Sequence, residues 1–520
     1  MNYILAKFDV SGIQDYIFAT NRLQENAGAS YQVTRVLDEF LIDTCDEVLG
    51  EEAVVDEGPE ETSLRLPGKE SSEAEILYIG GGNAMVLFRN RGTYEEVRKK
   101  LTYKVMKDCQ GIYLAVACIE TELKDFLKDR EKLDTQLAQV KRRMVRIPNY
   151  SPFPVVEQDN DTHQPITAIS IRKNASGDSV EYITEIQRQK REGYELISRN
   201  KNLFPELENG QRYKYPKEME VLSKRRGEDS TIAVVHIDGN GMGNRMHQIL
   251  TKNRNYDKAI PALRKESQEI AKLFRESYQE VLQELVQWQV DNKPRTNINQ
   301  EDKELLLPLR PILMDGDDFT FLCTAELAVP MAAGFIKKLM DRQKGREEII
   351  TACGGIAFVH SHFPFRIAYS IAEESCARAK KSWYQRHQSK EQQVFGYLDF
   401  QVIKGSELTW QTEDTRWKNR PYMIPLKETQ RDKNSLKSLI HTLDAMQSWP
   451  SGRLHKIYAA LQRGDSSMQL LEREFESRGY HLEKLTQGRW EESPLFDALE
   501  LQGLCQTDLL KRFTDIARCK

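Results

Sequence analysis

The chain has 520 residues, of which 39% are hydrophobic and 30% charged, with a formal net charge of −4. Such a composition describes a soluble globular protein and excludes a disordered or fibrous one. No apolar run approaches the ~18 residues that a membrane span needs, and the acidic balance argues against a nucleic-acid coat protein while leaving room for a local basic groove. At ~100–200 residues per domain the length holds about three or four domains.

Taken in chain order, "MNYILAKFDVSGIQDYIF" carries an aspartate inside its first apolar segment and lacks a basic leader, so it reads as a β-strand and not as a signal peptide. A small polar turn and an amphipathic helix follow. The acidic "GEEAVVDEGPEETSLRLPGKESSEAE" is an excursion before a hairpin, "ILYIGGGNAMVLF", then a helix and the strand "GIYLAVACIET". Past the middle the same order returns: "IAVVHIDGNGMGNRMHQIL", the hairpin "PILMDGDDFTFLC", a helix, and "IITACGGIAFVHSHFP". Asp9 and Asp238 hold the same place at the end of the first strand of each half. Strand–helix–strand–strand–helix–strand is the split βαβ order, and an internal repeat of it predicts two ferredoxin-like units in an α+β chain.

The predicted domains are 1–135, a first palm-like domain; 136–228, a charged, Pro-interrupted connector; 229–404, a second palm; and 405–520, a helical C-terminal domain. A helical insertion, "AIPALRKESQEIAKLFRESYQEVLQELVQWQV", interrupts the second palm. The eight cysteines form no C-x-x-C pair, which points to a reducing cytoplasm and against zinc. The runs "VKRRMVR" (140–146) and "SKRRG" (223–227) read as solvated surface before they read as phosphate tracks.

The chemistry concentrates in the second half. Asp238 ends a buried strand, and Asp317 and Asp318 sit in a hairpin that the βαββαβ order places beside it. Like charges this close raise one another's pKa. Mg²⁺ or Mn²⁺ removes the penalty, because hard cations take carboxylate oxygens together with substrate phosphates and water. Two such ions suit nucleotidyl transfer, where placement and charge stabilisation supply most of the rate. In "DGNGMGNR", Gly239, Asn240, Gly241 and Gly243 offer backbone N–H groups and a helix start to an anion. Gly316 makes the turn, and Arg245, Lys380 and Lys381 are the cations available to a triphosphate, each lysine reading equally well as a solvated helix face. The bland alternative for the hairpin is a plain type I′ turn, but that needs one aspartate, not three beside a matching Asp238. The first half's "GGGN" hairpin has no carboxylate. With Asp9 alone, that half is expected to be non-catalytic: a second nucleotide pocket or a structural face.

These segments resemble the large polymerase-palm subunit of type III CRISPR effector complexes. The resemblance rests on "DVSGIQDYIF" with "YIGGGNAMVLF" in the first palm, and on "IDGNGMG", "DGDD" and "GGIAFVHSHFPFRIAYSIAEESCARAKKS" in the second. It covers roughly residues 1–125 and 229–400, and extends more loosely into "WPSGRLHKIYAAL". It implies a cytoplasmic enzyme that makes cyclic oligoadenylate from ATP in antiviral defence, with two Mg²⁺ or Mn²⁺ ions on Asp238, Asp317 and Asp318. Nucleoside triphosphates, guide RNA, other effector subunits or a phage-derived trigger are the implied partners; no membrane is, and an oligomer is compatible. Two departures stand out: the first glycine of the family's GGDD is Asp315, and the second aspartate of its DGD loop is Asn240. The N-terminal HD nuclease and the zinc-binding cysteine pairs of some relatives are expected to be missing, which suggests a stand-alone relative. Competing readings are a non-catalytic nucleotide- or RNA-binding scaffold and a mononucleotide cyclase.

Overall fold

The computed structural model describes residues 2–50, 64–68, 71–145, 155–160, 162–172, 179–199, 212–218, 222, 230–291, 304–387, 393–403, 418–427, 434–486 and 488–516. Most of the acidic excursion, the SKRRG run and Cys519 lie outside the described residues. The chain divides into two compact units. One comprises Met1–Pro205, Gly241–Lys272 and Ile312–Asp318; the other comprises Glu206–Asn240, Leu273–Pro311 and Phe319–Lys520. No helix among the described residues is long and apolar enough to cross a membrane.

The N-terminal part runs β1 (Tyr3–Ser11), α1 (Ile13–Ile17), α2 (Leu23–Arg35), a π-helical stretch Val36–Leu41, α3 (Ile42–Leu49), β2 (Ala74–Gly80), β3 (Asn83–Phe88), α4 (Arg91–Asp108), β4 (Tyr113–Thr121) and α5 (Phe126–Arg143). The strands form a sheet in the order β2-β3-β1-β4, with β1 antiparallel to both neighbours. This is the ferredoxin-like arrangement that the strand and helix order predicts. Its core gathers Leu5, Leu77, Leu87, Ala117, Phe126 and Leu133 on one face. Asn90 and Asp125 cap α4 and α5 by accepting N–H bonds from Thr93 and Lys128. Next come a hairpin, β5 (Ala168–Arg172) and β6 (Ser179–Ile183), then α6 (Glu185–Arg199), which lies along α2 with Gln32 Nε2 donating to Gln189 O at 2.7 Å.

The second repeat comprises β7 (Arg212–Lys214), β8 (Thr231–Gly239), α7 (Met242–Lys252), α8 (Tyr256–Asp291), β9 (Glu304–Leu306), β10 (Leu309–Asp315), β11 (Asp318–Thr324), α9 (Ala325–Asp341), β12 (Ala352–His360), α10 (Phe365–His387), β13 (Phe395–Val402) and β14 (Tyr422–Pro425). Its six-stranded sheet has the order β10-β11-β8-β12-β13-β14. The first four strands reproduce the order of the N-terminal sheet, and β13 and β14 extend it. Residues Ile232–Ile237 of β8 are all buried and, His236 excepted, apolar. Six C-terminal helices follow: α11 (Leu436–Met446), α12 (Ser451–Arg463), α13 (Asp465–Ser477), α14 (Glu483–Thr486), α15 (Leu495–Glu500) and α16 (Thr507–Thr514). They are tied to the sheet edge by buried charge. Arg420 Nη2 reaches Glu500 at 2.6 Å, and Tyr422 Oη donates to Asp497 at 2.6 Å.

One close approach sets where α10 lies. A Cβ on Gly355 of β12 would meet Ala372 O at 2.0 Å and Cys376 N at 2.3 Å, so the helix backbone rests directly on the strand at the only residue type that permits it. Cys376 Sγ then reaches Cys353 O at 3.3 Å. Two residues further along α10, Arg378 Nε bonds Asp399 of β13 at 2.7 Å. Gly355→Ala is therefore expected to destabilise the protein by about 1–3 kcal/mol, lowering the urea midpoint. Gly452→Ala, on an open face of α12 where a Cβ meets nothing within 4 Å, is the control and should hold or raise it.

Candidate active site

Both repeats build the same strand end. Asp9 and Asp238 each lie three residues before a left-handed glycine, Gly12 (φ 72°) and Gly241 (φ 70°), that starts the following helix. Each aspartate is met by a lysine on the helix that follows the repeat's last strand. Lys141 Nζ of α5 lies 2.5 Å from Asp9 Oδ1, and Lys380 Nζ of α10 lies 2.5 Å from Asp238 Oδ2. Lys380 is legible as a site residue in the sequence, whereas Lys141 lies in a basic run that composition alone assigns to the surface. The signal was available in the repeat, because Lys141 follows β4 as Lys380 follows β12.

The hairpins differ in a telling way. In the N-terminal sheet Gly81 (φ 59°) and Gly82 (φ 69°) are both left-handed, as a type I′ turn requires. In the other, Gly316 (φ 59°) is left-handed and Asp317 is not, so the DGDD turn is not the plain type I′ alternative. The first hairpin closes on Gly80 and Asn83, the second on Asp315 and Asp318. Asn83 stands opposite Asp9 in the sheet register. The equivalent positions of the second repeat are Asp318 and Asp238, on strands that the sheet order makes neighbours.

The remaining residues of the loop divide their roles. Gly239 ends β8 opposite Ala352, and Asn240 is buried. Its N–H donates to Thr351 O at 2.8 Å and its Nδ2 to Thr351 Oγ1 at 2.9 Å, so its amide anchors the loop to the start of β12. An aspartate there would lose the Nδ2 donor. Gly243, in the first turn of α7, has open space where a Cβ would be. Arg245 is ion-paired with Glu266 of α8 and thus already committed to the protein. Lys381 is exposed on α10, one residue past the lysine that reaches Asp238.

Asp315 bonds back to the first hairpin. Its Oδ1 accepts from Gly81 N at 3.2 Å. Burial and the neighbouring Asp318 nonetheless push its pKa up. Asp38, in the π-helical stretch, is pushed up to about 6 by desolvation, then by Asp315 and Glu39.

Mg²⁺ or Mn²⁺ fits this donor chemistry, since the groups are hard carboxylates and the ammonium of Lys380 supplies a stand-in cation at Asp238. Among the described residues no group of three or more His, Cys, Asp or Glu is gathered to hold a metal. Mg²⁺ in nucleotide sites commonly takes only one or two carboxylates, with phosphates and water completing the shell.

The family model for the Cas10/Cmr2 second palm domain matches residues 231–389. No curated protein matches. Among solved structures, a Csm1-Csm4 cassette in complex with pppApApA aligns with TM-score 0.50 at 12% identity, over 96% of this chain and 69% of that one. A Csm1-Csm4 subcomplex of the type III-A CRISPR-Csm interference complex aligns with TM-score 0.47 at 13% identity, over 96% and 70%. A Csm1-Csm4 cassette with AMPPNP aligns with TM-score 0.43 at 13% identity, over 73% and 53%, so the chain spans about half of that relative's length. At such identities the likeness is one of fold. Residues 231–389 thus match the Cas10/Cmr2 second palm domain, and the duplicated βαββαβ sheets support a likeness of this chain to the Cas10-like palm subunits.

Proposed function

We propose that this chain is a metal-dependent nucleotidyltransferase that makes a cyclic oligonucleotide, with ATP as substrate and cyclic oligoadenylate as product, in cytoplasmic antiviral defence. The observation that carries the reading is the equivalence of Asp238 and Asp318 to the cross-strand pair Asp9 and Asn83. The second palm has carboxylates at both positions, and Asp317 beside them. The domain bounds adopted are 1–135 and 229–404 for the palms, 136–228 for the connector and 405–520 for the helical domain.

Asp238, Asp317 and Asp318 would hold two divalent cations, which lower the pKa of an attacking ribose hydroxyl and neutralise leaving pyrophosphate. The chain's own groups do the rest. Gly239, Gly241, Gly243 and Gly316 leave the loops without side chains at the phosphates. Asn240 fixes the loop through Thr351. Lys380 neutralises Asp238 in the resting chain and turns its ammonium to the triphosphate once that carboxylate is engaged. Lys381 adds positive potential at longer range, whereas the charge of Arg245 is balanced by Glu266.

A second reading has support of its own. A carboxylate already paired with lysine, and the lack of a three-ligand group among the described residues, suit a nucleotide- or RNA-binding subunit that performs no chemistry. Partner subunits of a CRISPR effector and guide RNA would then be its ligands. A mononucleotide cyclase would share the cation chemistry and differ only in product.

Three outcomes test this. Asp317→Ala with Asp318→Ala should abolish product from ATP and Mn²⁺ with an unchanged melting temperature; undiminished turnover would remove the assignment. Lys380→Gln should raise Mn²⁺ affinity, because a competing cation is gone, while lowering kcat/KM about tenfold or more through loss of a charge-assisted contact. Mass spectrometry of the product from each of the four NTPs separates the readings: a cyclic oligomer from ATP supports the first, a cyclic mononucleotide the cyclase, and no product the scaffold.

A further inference from the structure

The DGDD turn carries one carboxylate that the proposed chemistry leaves unused. Asp315 stands where the family's motif has glycine, and a glycine would close the two-residue turn equally well. The aspartate is costly, since Asp318 and Asp38 add like charge and burial disfavours its ionised form. What compensates it is backbone. Gly81 N, at the tip of the type I′ turn made by the left-handed Gly81 and Gly82, donates to Asp315 Oδ1 at 3.2 Å. The turn is held from behind, since Val10 N donates to Gly82 O at 2.9 Å and Asn83 Nδ2 to Gly81 O at 3.1 Å. A Cβ on Gly82 would strike Ile13 Cδ1 at 2.6 Å, so the donor sits in a fixed frame.

We propose that Asp315 is a positioning residue: its carboxylate, bonded to Gly81 N–H at the tip of the first hairpin, fixes the DGDD turn and so aims Asp317 and Asp318. The inference rests on the reading of those two aspartates as cation ligands. It gives the carboxylate-free hairpin of the first palm a task, as the abutment against which the acidic turn is held. Asp315 is then an anchor and not a third ligand, and its charge is used by an N–H donor and not by an ion.

Asparagine separates anchoring from charge, because its amide oxygen can still accept from Gly81 N–H while the negative charge is gone. The full chain and its Asp315→Asn, Asp315→Ala and Asp315→Gly variants are compared by amide hydrogen exchange of the 79–85 hairpin and by Mn²⁺ titration without nucleotide. Asp315→Asn should keep hairpin protection and bind Mn²⁺ within about threefold of the parent, whereas Asp315→Ala and Asp315→Gly lose the protection and bind about tenfold more weakly than Asp315→Asn. Equal exchange and equal Mn²⁺ affinity in the alanine and asparagine variants would overturn the anchor alone, provided Asp317→Ala with Asp318→Ala abolishes Mn²⁺ binding. Parent-like Mn²⁺ binding in that double variant would overturn the cation reading and this inference together.

Discussion

Every carboxylate at the palm strand ends has to be answered by positive charge or by N–H donors, and much of the surrounding architecture follows from that requirement. Asp9 is answered by Lys141, Asp238 by Lys380, and Asp315 by the amide of Gly81. An uncompensated carboxylate at a half-buried strand end would protonate or destabilise the fold. The compensation works because other features bring the partners within reach. Gly355 lets α10 rest on β12, and the Arg378–Asp399 pair pins the helix two residues before Lys380.

The two palms share this arrangement and diverge where chemistry would occur. Both have a strand-end aspartate, a left-handed glycine three residues on, and a lysine from the helix after the last strand. At the matching hairpin position on the neighbouring strand, one palm has asparagine and the other aspartate. In the first palm the lysine alone balances the charge. In the second, the turn carries three acidic residues where the first has none, and that difference is the electrostatic basis for expecting a divalent cation. A duplicated fold has thus kept its scaffold in both copies and its acidic excess in one.

Much of this was legible in the residues. The repeat, its βαββαβ order and both hairpins could be read because each strand is a short apolar run closed by glycine, and the two sheets have the strand order that this implies. The roles of single polar side chains were less visible. Asn240 looked like a loop residue facing a ligand, yet its amide turns inward to Thr351. Arg245 looked available to a phosphate, yet it pairs with Glu266 on a helix whose place no local pattern reveals. Lys141 hid in a basic run that composition alone assigns to solvent. Asp315 bonds to a glycine far away in the chain, a contact that hydrophobic periodicity does not encode. Backbone order follows from local pattern, whereas the partner of a charged side chain depends on tertiary placement.

The most direct measurement is a crystal structure of the chain soaked with Mn²⁺ and a non-hydrolysable ATP analogue, with the ions located by anomalous scattering. The account requires Mn²⁺ bound by Asp238 together with Asp317 or Asp318 and in contact with the triphosphate, with Lys380 released from Asp238. Nucleotide bound while Lys380 still grips Asp238, and no manganese peak at the DGDD turn, would contradict it.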